Sequence, residues 1–146
     1  MSDCIFCAIV AGQAPASVVY HDAHCTAFLD IQPVNPGHVL VVPNDHTAYL
    51  ADLPPATGGH LFQVAQQLAA ALRKSELRCE GVNLFLADGE AAMQEVFHVH
   101  LHVFPRFVGD GFGLTFSPGY YQKPDRAALE RAAHQVRAVL TAPWES

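Results

Sequence analysis

The segment from residue 97 to 104, FHVHLHVF, constrains the fold most, because apolar residues and histidines alternate along it without a break. Successive side chains of a β-strand point to opposite faces of the sheet. At about 3.3 Å per residue, alternate residues lie roughly 6.6 Å apart on one face. The pattern predicts a strand over residues 96–104 that faces the core with Phe97, Val99, Leu101 and Val103. Its other face carries His98, His100 and His102.

The rest of the chain mixes helical and strand patterns without a regular βαβ alternation. Apolar spacing predicts two main helices over residues 55–77 and 124–140, and a short N-terminal helix that Asp3 could cap. Strand signals cover residues 17–20, 25–29, 38–43 and 81–87. We therefore expect a single α+β domain over residues 1–146, in which helices pack on one side of an antiparallel sheet of about five strands.

Composition excludes several classes of function. The 146 residues are 51% hydrophobic, and the net charge of −6 with only eight Lys plus Arg argues against a nucleic-acid-binding surface. The longest apolar runs are too short to cross a bilayer, and the N-terminus has no basic, apolar leader. A Cys4-x-x-Cys7 pair without a secretory signal favours a metal or redox motif over a disulfide. We expect a cytoplasmic protein.

The histidine row has three interpretations. It could be a half-exposed strand that happens to carry histidines, although three of the nine histidines within five residues make this improbable. It could be a metal site, since His-x-His on a strand can bind zinc, but no acidic partner stands at matching spacing. It could be catalytic, because an aligned row supplies a nucleophile and a second imidazole that donates to a phosphate oxygen.

The row and its surroundings resemble the histidine triad (HIT) family of nucleotide hydrolases and transferases. The matching segments, in the family's order and spacing, are residues 4–10 (CIFCAIV), 27–31 (AFLDI), 36–43 (PGHVLVVP), 81–84 (GVNL) and 94–102 (QEVFHVHLH). The resemblance is strongest over residues 3–113 and closest to the bacterial Hint-like branch, including the segment 105–112 (PRFVGDGF). It implies a HIT-like fold, with residues 114–146 as a C-terminal helix and tail.

The resemblance implies a catalytic set and a nucleoside pocket. His100 would attack the α-phosphate and form a transient nucleotidyl-histidine, His102 would donate to a phosphate oxygen, and His38 would lie near the nucleophile. Asp30 would accept hydrogen bonds from the ribose hydroxyls, which suits a carboxylate. The positions that would surround the base or contact the phosphate are Ile5, Phe6, Ile9, Phe28, Ile31, Asn83, Gln94 and Val96.

The same resemblance implies a structural zinc site and a homodimer. The family's bacterial branch commonly holds zinc through four ligands, which here correspond to Cys4, Cys7, His46 and His98. A tetrahedral Cys₂His₂ set closes the coordination sphere, so this zinc would pin the N-terminus and take no part in chemistry. No catalytic metal or organic cofactor is expected. The substrate would be a purine nucleotide derivative such as one of AMP or GMP, cleaved by a phosphoramidase or dinucleotide polyphosphate hydrolase activity.

The sequence departs from the family in the loop before the histidines. Glu95 stands where a Ser or Thr is common, while Ala87 and Met93 replace an Asn and a Gly that are more frequent. An ionised carboxylate repels a phosphate, which leaves a second interpretation open. In that interpretation the protein is a nucleotide-binding regulatory module with vestigial catalysis. Trp144, in the tail, is at most a specificity residue.

Overall fold

The computed structural model describes residues 3–140, so Trp144 lies outside the described residues. The chain divides into two compact units, Met1–Phe112 and Gly113–Ser146. This boundary falls within a residue of the end of the segment with the strongest family resemblance. A single domain over residues 1–146 stays a prediction.

The first unit is built on one five-stranded sheet. Its strands are β1 (Val18–His21), β2 (Cys25–Leu29), β3 (Val39–Pro43), β4 (Gly81–Leu86) and β5 (Leu101–Arg106). Their order across the sheet is β1-β2-β3-β5-β4, and every neighbouring pair is antiparallel. The predicted α+β fold with about five antiparallel strands is confirmed.

The central strand β3 has all five of its residues buried, as expected for an apolar run without alternation. On one face of the sheet lies the long helix α2 (Pro55–Lys74). Its first residue is a proline, which is favourable there because the first N–H groups of a helix have no acceptor within it. Its buried side chains lie at helical spacing and contact strand residues such as Val41 and Val103. These side chains are Leu61, Val64, Ala65 and Leu72.

The opposite face carries the short helix α1 (Ile5–Val10). Phe6 of α1 packs against Phe28, Leu40 and Val42, which alternate with the residues that face α2. The prediction that the helices pack on one side is therefore wrong for α1. Cys4, and not Asp3, caps the helix, because its sulfur accepts the Cys7 N–H at 3.4 Å.

The histidine strand is shorter than the alternation predicts. β5 begins at Leu101, so His98 and His100 lie in the irregular segment that leads into it. The alternation of faces persists there, and Val99 is buried with Val103 in the core beside α2. Phe97 does not face the core: it is 40% exposed and packs edge-on against Tyr49. Regular pairing cannot extend to residue 99, because the Val99 N–H donates to Thr47 O at 2.7 Å.

The second unit contains one helix, α3 (Arg126–Arg137), among its described residues 113–140. Asp125 caps it by accepting the Ala128 N–H at 2.8 Å, so the helix starts two residues after the predicted start at 124. The apolar spacing of this helix is present, but Leu129 and Val136 are exposed. Among residues 3–140, no helix is both long and apolar enough to cross a bilayer.

Gly37 closes the loop that enters β3, and it gives a stability prediction. Its φ is +100°, and a Cβ added there would lie 2.8 Å from Leu77 Cδ1. Gly37→Ala should lower the free energy of unfolding by about 2 kcal/mol, from backbone strain and crowding together. Urea unfolding measures this. Gly12→Ala is the matched control, since Gly12 has a φ of +72° but no neighbour within 4 Å. Equal losses in both variants would contradict the packing argument.

Candidate active site and metal centre

His100 is held with one ring nitrogen committed to the backbone. Its Nδ1 lies 2.8 Å from the carbonyl oxygen of His98. A carbonyl can only accept, so Nδ1 carries a hydrogen, and in the neutral tautomer the lone pair is on Nε2. The residue is buried, and the edge of the Phe6 ring packs against the imidazole at a centroid distance of 5.1 Å. These contacts fix the orientation of the His100 ring.

A series of hydrogen bonds determines which ring nitrogen of His102 carries the hydrogen. The Val34 N–H donates to His38 Nδ1 at 3.0 Å, so the hydrogen of His38 must be on Nε2. His38 Nε2 lies 2.9 Å from His102 Nδ1 and therefore donates to it. His102 in turn carries its own hydrogen on Nε2. The Val34 N–H thus makes Nε2 of His102 a hydrogen-bond donor.

Burial and neighbouring charges keep these imidazoles neutral at pH 7. Burial, followed by the nearby His100 and His38, lowers the pKa of His102 to about 4, against a small opposing effect of Asp30. Burial also lowers the pKa of His38, although the Asp30 carboxylate, 3.6 Å from His38 Nε2, opposes it. Neutral imidazoles can act as nucleophile and donor at once, which a protonated nucleophile cannot.

Aromatic side chains pack against the histidines. Phe85 of β4 contacts His102 at a centroid distance of 5.6 Å, and Phe104 of β5 lies 4.8 Å from His38. The alternation of β4 and β5 puts these rings on the histidine face, since Phe85 pairs with His102 across the strands. The sequence gives no clear signal for Phe85 or Val34. The contact of Phe85 depends on how β4 and β5 are paired, which a local sequence pattern does not show. Val34 acts through its backbone N–H, a group that every residue except proline has.

The predicted base-pocket residues fall into two groups. Phe6 and Phe28 are buried and meet edge-to-face at 5.4 Å, with Ile9 and Val96 partly buried around them. Ile5 is half exposed and Ile31 is 99% exposed, so neither belongs to the core. The apolar surface beside the histidines is therefore built on α1 and β2.

The two amide residues predicted to contact the phosphate are engaged within the protein. Asn83 Oδ1 accepts from Arg106 Nη1 at 2.7 Å. Gln94 is buried, and its side chain bonds Gly89 N, Ala48 O and Val96 O. Gln94 thus organises the loop that carries the departures from the family, and a phosphate contact for Asn83 or Gln94 stays a prediction.

That loop has an unusual backbone. Met93 has a φ of +70° and is the one residue other than glycine with a positive φ among residues 3–140. This conformation suits the Gly that is more frequent at the position, so Met93 is strained. Glu95, two residues on, is exposed. Its carboxylate is therefore solvated beside the histidine segment.

Four predicted metal ligands come together at the N-terminus of α1. Cys4, Cys7, His46 and His98 offer donor atoms that all lie within 4.8 Å of one another. The Sγ atom of Cys7 lies 3.3 Å from His46 Nδ1 and 3.5 Å from His98 Nδ1, and Cys4 Sγ lies 3.4 Å from His98 Nδ1. Tetrahedral zinc, with bonds of about 2.3 Å to sulfur and about 2.0 Å to nitrogen, separates such ligands by about 3.5 Å. The donor set fits zinc.

The outer contacts of His98 fit the same interpretation. Its Nε2 donates to Pro43 O at 2.8 Å, which leaves the Nδ1 lone pair directed at the two sulfurs. The residue is fully buried, and burial lowers its pKa, so it is neutral as a ligand must be. His98 is thus placed where a metal ligand would be, in the cluster with Cys4, Cys7 and His46.

A scan against protein-family models matches the HIT domain over residues 11–109. The chain is 41% identical over 135 residues to an uncharacterised HIT-like protein of Mycobacterium tuberculosis, an alignment that covers 92% of this chain and 93% of that protein. It is 33% identical over 105 residues to an Arabidopsis thaliana adenylylsulfatase, covering 72% of this chain and 53% of the plant protein.

Solved structures of HIT family proteins also superpose on this chain. A HIT family protein from Bacillus subtilis superposes with a TM-score of 0.88 at 34% identity, covering 97% of this chain and all of that one. A zinc-bound histidine triad family protein from Mycobacterium smegmatis superposes with a TM-score of 0.74 at 42% identity, covering 94% and 98% of the two chains.

The low pKa of His102 predicts a pH dependence of stability. Between pH 6.5 and about 4 the unfolded chain binds a proton at this residue that the folded protein does not, so stability is full above pH 6.5 and falls as the pH drops. In urea unfolding, wild type should lose on the order of 1 kcal/mol more than His102→Gln between pH 7 and pH 5. Comparing the two proteins cancels the titrating groups that do not interact with His102. Equal pH dependence would contradict the assignment.

Proposed function

This chain belongs to the HIT family, and on that premise we propose that it is a nucleotidyl hydrolase that cleaves a bond at the α-phosphate of a purine nucleoside monophosphate derivative. The observation that carries the proposal is the bond from His100 Nδ1–H to the His98 carbonyl, which leaves Nε2 as the nucleophile. An amine, acyl or phosphate group would leave. The adenylylsulfatase relative is named for hydrolysis of an adenylyl mixed anhydride, which belongs to this reaction class.

The first step forms a phosphorus–nitrogen bond. The Nε2 lone pair of His100 attacks the α-phosphorus, the leaving group departs with the electrons of its bond, and the imidazole becomes positively charged. An amine leaving group takes up a proton from solvent as its bond breaks, and the water of the second step returns one to solvent. The His98 carbonyl accepts from Nδ1–H and stabilises that charge. The Nε2–H of His102 donates to a non-bridging oxygen as negative charge develops there. Water then attacks the same phosphorus, releases the nucleoside monophosphate and restores His100.

The binding surface follows from the residues beside the histidines. Asp30, whose side chain is partly exposed at the end of β2, has two acceptor oxygens for the ribose hydroxyls. Phe6, Phe28, Ile9 and Val96 support an apolar surface, on whose edge Ile5 and Ile31 are exposed for contact with a base. Asn83 bonds Arg106 through its oxygen, so its NH₂ group is the part of the side chain that could donate to a phosphate oxygen, whereas the Gln94 amide bonds the protein through both its oxygen and its nitrogen.

We also infer a cytoplasmic homodimer. β4 is an edge strand of the sheet, and Leu84 on it is exposed, so a second copy could extend the sheet across this edge. The proposed zinc would be structural, held by Cys4, Cys7, His46 and His98, and would fix α1 to the sheet.

Release of AMP from an adenosine phosphoramidate tests the function. His100→Asn and His100→Ala should each lower kcat by roughly three orders of magnitude or more, because no other group replaces the nucleophile. His21→Asn, the same change at an exposed histidine of β1, should keep wild-type activity.

Calorimetric titration with AMP separates the two candidate functions. Binding should persist in His100→Asn, which removes the nucleophile and leaves the nucleoside contacts in place. A wild type that binds AMP but releases none from phosphoramidate, dinucleotide or acyl-nucleotide substrates would overturn hydrolysis in favour of a regulatory nucleotide-binding module. The exposed Glu95 would then be the first residue to change to Ser.

Metal analysis of freshly purified protein tests the zinc site. We expect about one zinc per chain in wild type, and loss of the metal in Cys4→Ser because a hydroxyl is a poor zinc ligand. Cys79→Ser is the matched control, since Cys79 lies outside the cluster and bonds Gly81 O. A Cys4→Ser protein that retains zinc at the wild-type ratio would overturn the assignment.

A further inference from the structure

An ion pair that the proposed chemistry does not use joins Arg106, the last residue of β5, to Asp110 in the segment that follows. Asp110 is 2% exposed at its side chain and accepts from Arg106 Nε at 2.6 Å and from Nη2 at 2.8 Å. Such a two-pronged contact fixes the carboxylate in position and orientation. The backbone N–H groups of Phe107 and Phe112 also donate to this carboxylate, so Asp110 stabilises the loop in which it lies.

One further donor reaches Asp110 from a distant part of the chain. Asn35 Nδ2 lies 2.8 Å from Asp110 Oδ2 and also donates to Pro105 O at 2.9 Å. Asn35 is the one buried residue between positions 31 and 37, in the loop that joins β2 to β3. The loop is therefore anchored to β5 through this amide.

The loop between β2 and β3 also determines which ring nitrogen of His38 carries the hydrogen. Val34 precedes Asn35 and gives its N–H to His38 Nδ1, while the Asn35 carbonyl accepts the His38 N–H at 3.1 Å. A shift of Asn35 would move both groups relative to the His38 ring. The bond from Val34 to Nδ1, at 3.0 Å, is the contact that such a shift would break.

The pair of histidines has two neutral proton arrangements, and Val34 selects between them. In one, His38 Nε2–H donates to His102 Nδ1 and His102 presents Nε2–H outward. In the other, His38 carries its hydrogen on Nδ1, His102 Nδ1–H donates to His38 Nε2, and His102 presents a lone pair outward. The second arrangement would set the Val34 N–H against the His38 Nδ1–H, two donors facing each other. It would also leave His102 unable to donate to a phosphate oxygen.

We propose that Asp110, through Asn35, is a positioning residue that holds Val34 against His38 and so keeps the hydrogen of His102 on Nε2. The role in turnover rests on the proposed hydrolase function. The proton arrangement itself is a property of the resting protein.

The test combines imidazole nitrogen NMR with kinetics on the full chain. In wild type, two-bond proton–nitrogen spectra should assign hydrogen to Nε2 of both His38 and His102. Asp110→Asn removes the charge that holds Arg106 and Asn35, and Asn35→Leu breaks the same link while leaving the ion pair intact. Both variants should gain a measurable population protonated at Nδ1. Both should lower kcat on the phosphoramidate by about tenfold, with KM within about twofold, as expected when a transition-state donor is partly lost.

Asp22→Asn is the matched control, because Asp22 is also a multiply bonded carboxylate, held by Tyr20 and His60 at the turn between β1 and β2. It should keep the wild-type proton arrangement whatever it does to thermal stability. Should Asp110→Asn not fold, Asn35→Leu carries the test.

Three results would overturn the proposal: His38 protonated at Nδ1 in wild type, folded variants with unchanged proton positions, or a loss of kcat without a change in proton positions. A wild type without turnover would remove the hydrolase function, and the NMR result would still decide whether Asp110 sets the protons.

Discussion

His98 makes contacts through both ring nitrogens and its backbone carbonyl, and the arrangement of the histidine face depends on them. Its Nδ1 faces the sulfurs of Cys4 and Cys7, its Nε2–H donates to Pro43 O at the end of β3, and its backbone carbonyl accepts from His100 Nδ1–H. One buried residue thus connects the start of α1, the central strand and His100, the proposed nucleophile. A metal at the Cys₂His₂ cluster would fix His98 further, and through its carbonyl it would fix the orientation of the His100 ring.

Proton positions in this site are set by neutral groups. A carbonyl fixes the tautomer of His100, and a backbone N–H fixes that of His38 and, through it, of His102. Burial keeps the pKa values of His38 and His102 below the ordinary value, so a nucleophile and a donor can coexist without mutual repulsion. The Asp30 carboxylate, 3.6 Å from His38 Nε2, favours a hydrogen on that nitrogen, which reinforces the same arrangement.

The sequence predicts the sheet well because its signals are local and strong. The bounds of β2 are as predicted, and the unalternated run of residues 38–43 identifies the buried central strand. The start of β5 is missed, because the Val99 N–H is taken by Thr47, a partner distant in sequence. The cap of α1 is missed since Cys4 serves as both cap and candidate ligand, which propensity alone does not reveal.

For the site, the sequence identifies the residues whose chemistry is in their side chains. His38, His100 and His102 lie together, as do the four candidate zinc ligands. It cannot identify Val34, which contributes a backbone N–H, or Phe85, whose position depends on strand register. Nor does it identify the internal partners of two predicted phosphate contacts: Asn83 accepts from Arg106, and Gln94 bonds the loop before the histidines. Tertiary hydrogen-bond partners decide such cases, and no local pattern encodes them.

Rapid-quench labelling with a substrate that carries radioactive phosphorus at the α-position tests the central claim most directly. If His100 Nε2 is the nucleophile, label should appear on the protein within the first turnover, map to the peptide that contains His100, and be absent from His100→Asn. Multiple turnovers of wild type without any labelled protein, or label on a different residue, would contradict the account.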